Sequence, residues 1–141
     1  MAKPVWGYLA SLWRAIYPPR SLGQRGEDAA ARLLKRHGCK VLARGSRSAL
    51  GEIDLVVLDG TTIVFVEVKT RRRGDTGHPS EAVDAAKKRR LARLALGFLK
   101  RYRLLERPVR FDVVAVTWPE GRRRPLVEHF PAAFEVHPGE S

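Results

Sequence analysis

Residues Gly51–Thr70 read GEIDLVVLDGTTIVFVEVKT. Two runs rich in Val, Ile and Phe flank Asp59-Gly60, a dipeptide that favours tight hairpins because glycine accepts positive φ. With Asp59 and Gly60 as a two-residue loop, Leu58 pairs with Thr61, Val56 with Ile63 and Asp54 with Phe65. Alternate residues of a strand share a face, so Ile63, Phe65, Glu67 and Lys69 lie together. Opposed residues also share a face, which brings Asp54 to the face of Glu67 and Lys69. There it is diagonal to Glu67, at a backbone separation of roughly 7–8 Å. Two carboxylates reaching across that gap can hold one divalent cation. A three-residue loop without a compensating bulge would turn Asp54 to the other face. Val56, Leu58, Ile63 and Phe65 share the face with the charges, so it is expected to be covered, and unpaired charges under cover are costly. A metal would relieve that cost, and so would a mutual ion pair. The spacing leaves open whether this is a functional site or a structural ion cluster.

Composition points to a partner. The chain has 141 residues, enough for one domain with a proper core. Its 27 Lys and Arg against 15 Asp and Glu give a net charge of +12. So basic a small protein expects a polyanion, nucleic acid first and acidic membrane second. The single Cys39 excludes an internal disulfide framework and suits a reducing cytosol, so a cytoplasmic location is expected. His37, His78, His129 and His137 have no ligand-like spacing, which argues against a zinc site.

Residues 1–20 place Trp6, Leu9, Leu12, Trp13, Ile16 and Tyr17 at helical spacing, ended by Pro18-Pro19. This amphipathic extension is too short for a membrane span and lacks a signal-peptide core. Packing on its own domain, or no fixed structure, is favoured over membrane contact. Gly23–His37 is expected to be a helix stopped by Gly38, with Ala30, Ala31, Leu33 and Leu34 on its apolar face and Glu27 at the edge of that face. As an acid in the first turn, Glu27 also suits the helix dipole. Lys40–Arg44 is expected to be a short strand, and Arg44–Gly51 a Gly- and Ser-rich loop. The Arg44 and Arg47 side chains of that loop suit either phosphate contact or an ordinary surface turn.

After Lys69 come Arg71, Arg72 and Arg73, expected where the strand leaves the sheet, at the rim of the carboxylates. They suit phosphodiester binding or a plain solvated charge run. Ser80 is expected to cap a long helix running to about Leu105, with Val83, Leu91, Leu94, Ala95, Phe98 and Tyr102 as its stripe. Lys87 falls on that stripe, either looking into the site or simply packing its stem, and Lys88 stands next to it. Val109–Thr117 is another buried-type strand, in which Asp112 is expected to pair with a neighbouring Arg. Leu126–Phe134 closes the domain. The boundaries are thus an extension over 1–20, a domain over 21–136 and a tail over 137–141.

Asp54, twelve intervening residues and then Glu67-Val68-Lys69 resemble the PD-(D/E)xK nuclease signature. More closely, GEIDLV, FVEVKTR, EAVDAAKKRRL and RFDVVAV, in this order, resemble the YraN family of small bacterial proteins. The resemblance runs from Gly23 to Phe134. It implies an α/β fold with a restriction-endonuclease-like core, a mixed β-sheet flanked by helices, similar to archaeal Holliday-junction resolvases. It also implies a metal-dependent endonuclease, with Asp54, Glu67, the Val68 carbonyl and Glu27 holding Mg²⁺ or Mn²⁺ and Lys69 as catalytic base or electrostatic partner. Lys87 or Lys88, with the arginines 44, 47 and 71–73, would hold the backbone of a nucleic acid, DNA favoured over RNA. A homodimer fits the resolvase analogy, because two strands must be cut. The chain departs from the family at Gly45, where Asn is common, at Lys87-Lys88, where Lys-Gln is common, and at Asp75-Thr76-Gly77, where an aromatic often stands. The alternative is a nucleic-acid-binding protein that keeps the fold without the chemistry.

Overall fold

In the computed structural model, residues 21–72 and 83–136 are described, together with helical residues 9, 11 and 12. The rest of the extension over 1–20, Arg73, the Ser80 cap and the tail lie outside the described residues.

Ser21 begins the first long element. Its Oγ accepts the Gln24 N–H at 3.2 Å, and Gln24 Oε1 accepts the Ser21 N–H at 2.9 Å. This reciprocal box fixes the start of α1 (Leu22–Arg36), which ends on His37 with Gly38 beyond it at φ 90°. Glu27 therefore lies beyond the first turn, which holds no acid. The buried face of α1 is Gly26, Ala29, Ala30, Ala31 and Leu34, with Leu33 at its margin.

Five strands follow: β1 (Lys40–Ser48), β2 (Gly51–Asp59), β3 (Thr62–Arg72), β4 (Val109–Trp118) and β5 (Leu126–Phe130). They form one sheet in sequence order, antiparallel throughout except for the parallel pair β3–β4. A parallel pair needs a crossover, and α2 (Ala85–Arg101) lies within that connection. α1 covers one face of the sheet over Leu55, Val57, Val64, Val66, Val114 and Val116. α2 covers the other over Ile53, Val56, Ile63, Phe65 and Val113. Both faces of β2, β3 and β4 are thus buried, which explains why these strands read as nearly continuous apolar runs. The result is a mixed five-stranded sheet flanked by two helices, an α/β fold compatible with a restriction-endonuclease-like core. No helix among the described residues is long and apolar enough to cross a membrane.

The central hairpin differs from expectation in register but not in parity. Asp59 pairs with Thr62, and Gly60-Thr61 forms the loop, with Gly60 at φ 61°. Asp59 stays in the strand, where its carboxylate accepts from Arg110 at 3.1 Å. The paired stretch ends at Leu55 and Val66, and beyond it the Asp54 carboxylate takes the Val68 N–H in place of a backbone partner.

Five other boundaries move. The expected loop 44–51 is mostly strand: β1 continues to Ser48, and only Ala49-Leu50 turn. A register shift at Val41/Ala43 and a left-handed Gly45 (φ 56°) break the alternation that would have marked it. Arg71 and Arg72 remain in β3, paired with Thr117 and Trp118, because β4 extends alongside them. α2 starts at Ala85, capped by Asp84, whose Oδ1 accepts the Lys87 N–H at 2.8 Å. It ends at Arg101, short of Leu105, and Arg103 turns left-handed at φ 56°. β5 likewise stops at Phe130, because Ala132 is left-handed at φ 50° and donates its N–H to Asp112.

Asp112 is fully buried and anchors this end of the sheet. It accepts from Arg110 Nε (2.8 Å) and its terminal nitrogen (2.9 Å), from Ala132 N–H (2.9 Å), and bonds His129 Nε2 at 2.7 Å. Burial alone would raise its pKa, but the hydrogen bonds from His129, Arg110 and Ala132 outweigh it and hold the carboxyl below its ordinary range. The expected Arg partner is thus Arg110, and Asp112 serves the fold.

Candidate metal centre

Gly26 sets the position of the site. A Cβ built there would stand 2.1 Å from Thr70 Oγ1 and 3.2 Å from its Cβ, so α1 approaches β3 more closely than any other residue would allow. The next residue, Glu27, is thereby delivered to the edge where Asp54 stands. Oxygens of Glu27, Glu52 and Asp54 all lie within 4.8 Å of one another. Asp54 is also held from the strand side: its Oδ2 accepts the Val68 N–H at 2.9 Å. Glu52 is joined by Arg47 Nε at 3.0 Å, the cross-strand partner the register dictates.

Glu67 belongs to an adjoining cluster. Its Oε1 lies 2.5 Å from Lys87 Nζ and 3.8 Å from Lys69 Nζ. Lys87 therefore turns toward the carboxylates, whereas Lys88 lies over the Phe134 ring at 5.9 Å. Arg44 pairs with Asp28 on α1 rather than reaching the site.

The electrostatics follow from crowding acids under cover. Burial first, and then the neighbouring Glu67 charge, push Asp54 up to about 7, against the lowering effect of the Val68 N–H. Burial, with Glu52 next, also raises Glu27. Lys69 is lowered, chiefly by its hydrogen bond with Lys87 and then by burial. Lys87 is raised: burial opposes its charge, but the bonds to Glu67 and Lys69 prevail. The two lysines are thus shifted in opposite directions, Lys69 down and Lys87 up.

The donor set suits a hard divalent cation. Three carboxylates offer only oxygen, the ligand type that Mg²⁺ and Mn²⁺ prefer. On an octahedral Mg²⁺ with Mg–O of about 2.1 Å, oxygens stand roughly 3.0 Å apart when adjacent and roughly 4.2 Å when opposite, so oxygens within 4.8 Å of one another close by up to about 2 Å or share a bridging water. A cation would also relieve the repulsion that raises Asp54. Among the sequence candidates, the structure brings together Asp54, Glu27, Glu67, Lys69 and Lys87, with the Val68 N–H already engaged by Asp54. Glu52 was missed, although alternation along GEID puts it on the face of Asp54. Gly45 explains itself: its left-handed φ of 56° is tolerated best by Gly and next by Asn, and a Cβ there would meet Glu52 Oε1 at 3.3 Å.

Comparison with known proteins shows the family of the chain. Residues 26–116 match the model of "Uncharacterised protein family UPF0102". A UPF0102 protein of Rhodopirellula baltica is 51% identical over 118 residues, covering 82% of this chain and 71% of the relative. One from Geobacter metallireducens is 46% identical, covering 83% of this chain and 94% of the relative. One from Symbiobacterium thermophilum is 53% identical over 74% of this chain and 90% of its own length. The chain therefore belongs to the uncharacterised protein family UPF0102, the same family as YraN.

Proposed function

We propose that this protein is a divalent-metal-dependent endonuclease acting on the phosphodiester backbone of nucleic acid, DNA in preference to RNA. The observation that carries the reading is the junction of two clusters on the neighbouring strands β2 and β3 and the helices that cover them: Glu27, Glu52 and Asp54 as an oxygen cage, and Glu67 with Lys69 and Lys87 beside it. Asp54, with Glu27, Glu52 and Glu67, would hold Mg²⁺ or Mn²⁺, and the ion would supply positive charge against the phosphate oxygens and an acidified water. Lys69, lowered by Lys87, accepts a proton from that water more readily than an ordinary lysine. Lys87 fixes Glu67 and keeps its own charge for a phosphate oxygen. The side chain of Arg47 and the excess of basic residues position the backbone without reading bases, so binding falls steeply with salt.

The 2.5 Å contact between Lys87 and Glu67 favours a second reading, a closed ion cluster in a protein that binds nucleic acid without cutting it. Cleavage of labelled four-way junction, flap, single-stranded and duplex DNA, and of RNA, in Mg²⁺ or Mn²⁺ separates the two. The nuclease reading expects metal-dependent cutting, lowered at least about a hundred-fold in Glu67→Ala. Tight binding by both proteins with cutting by neither would favour the second.

A further inference from the structure

The turn between β1 and β2 does not lie free on the surface. Gly51 sits against α2, where an added Cβ would meet Arg90 Cδ and Leu94 Cδ1 at 3.7 Å each. Between this turn and the C-terminal half of α2 a cavity of about 330 Å³ opens. It is lined by the buried Ile53, Leu94 and Phe98, by the half-exposed Leu50, and by the exposed Arg47, Arg93 and Arg101. Tyr102, half exposed, closes one end, with its ring 4.7 Å from that of Phe98 and the Arg101 guanidinium 5.5 Å from its centroid.

A slot lined by apolar side chains and arginines and bounded by an exposed aromatic suits a flat, π-bearing group attached to a polyanion. We propose that this groove receives an unpaired base of the nucleic-acid strand whose backbone passes the metal centre. The inference rests on the nucleic-acid reading above and narrows it: the preferred substrate carries a single-stranded nucleotide near the cut. The path is continuous. Lys87, Arg90, Arg93 and Arg101 follow one another along α2, and the eleven residue steps from Lys87 to Phe98 span roughly 16 Å of helix. The β-strand side contributes Arg47, whose cross-strand partner Glu52 is in the carboxylate set. Buried in a duplex, a base cannot reach Tyr102. An unpaired one can stack there, and such stacking is sequence-tolerant because every base has a π-face.

The test is binding by fluorescence anisotropy in Ca²⁺ or without metal, using a blunt duplex, the same duplex with a single-stranded tail, and that duplex with an abasic tail, in DNA and RNA versions. Wild type is expected to bind the base-bearing tail about ten-fold or more tighter than the abasic tail. Tyr102→Ala should lose that preference and leave blunt-duplex binding unchanged, and Tyr102→Phe should keep it. The abasic comparison uses wild type alone, so it holds even if Tyr102→Ala folds poorly. Equal binding of base-bearing and abasic tails by wild type overturns the groove proposal and leaves the nuclease reading standing. Equal loss of duplex and tail binding in a Tyr102→Ala protein that melts like wild type also overturns it. No binding of any of these by wild type overturns both.

Discussion

Asp54→Asn should make the metal-free protein more stable at alkaline pH while removing its affinity for metal. Asn keeps an oxygen acceptor for the Val68 N–H, so the only change is loss of the charge that burial and Glu67 disfavour. Raising a carboxyl from 3.8 to about 7 on folding corresponds to roughly 4 kcal/mol between its two protonation states. The sign follows from the direction of the shift. The folded protein holds this proton more tightly than the unfolded chain. The associated stability is therefore fully present below the unfolded pKa and is lost as pH rises through about 7. Asparagine suffers no such loss. Denaturant titrations between pH 4 and 8.5 should therefore show a variant nearly equal to wild type at pH 4 and more stable above pH 7, by up to about 4 kcal/mol. Saturating Mg²⁺ or Mn²⁺ should stabilise wild type, by about 2.7 kcal/mol at a hundred times Kd, and leave the variant unmoved. A variant less stable than wild type at pH 8, or one with the wild-type pH slope, would refute the claim that burial, with Glu67 next, disfavours the Asp54 charge in the folded state.

Asp112→Ala should destabilise by about 3–5 kcal/mol in chemical denaturation, because it leaves the Arg110 and His129 side chains without their acceptor. In wild type this carboxyl's contribution is present above the ordinary carboxylate pKa and is lost as acid takes the pH down through its lowered value. Gly26→Ala should destabilise by about 1–3 kcal/mol despite alanine's better helix propensity, since the methyl meets Thr70, and thermal melts would check it. Lys69→Met should reduce cleavage about 10²–10⁴-fold, measured in single turnover. Lys87→Met removes the largest influence lowering Lys69, so the limb of the pH–rate profile set by Lys69 should move to higher pH.

Much of this was legible in the chain because charges on apolar strands have few places to go. Parity alone put Asp54, Glu67 and Lys69 on one face, and parity survived a register that slid by two residues in its pair sums. What slid was decided at long range: Arg110 on β4 takes the Asp59 carboxylate, and no local signal in Asp59-Gly60 announces it. Helical spacing placed Lys87 toward the site. The N-terminal boundary of α2 depends on Asp84, which a local reading passes over in favour of Ser80. The extension of β1 through Arg44 and Arg47 was hidden by Gly45 and two serines, residues common in loops but tolerated on an edge strand. Glu52 follows Gly51, which suits the end of a loop as well as the first residue of β2, so nothing local marks it as a strand residue.

The account stands on the carboxylates around Asp54 acting as one divalent-cation site. Titration of the protein with Mn²⁺, followed by electron paramagnetic resonance of the free ion, tests that without any assumption about substrate. One site is predicted for wild type, weakened at least about ten-fold in Glu52→Gln and lost in Asp54→Asn, with Mg²⁺ competing for it. Mn²⁺ binding that is absent in wild type, or that Asp54→Asn leaves unchanged, would contradict the account.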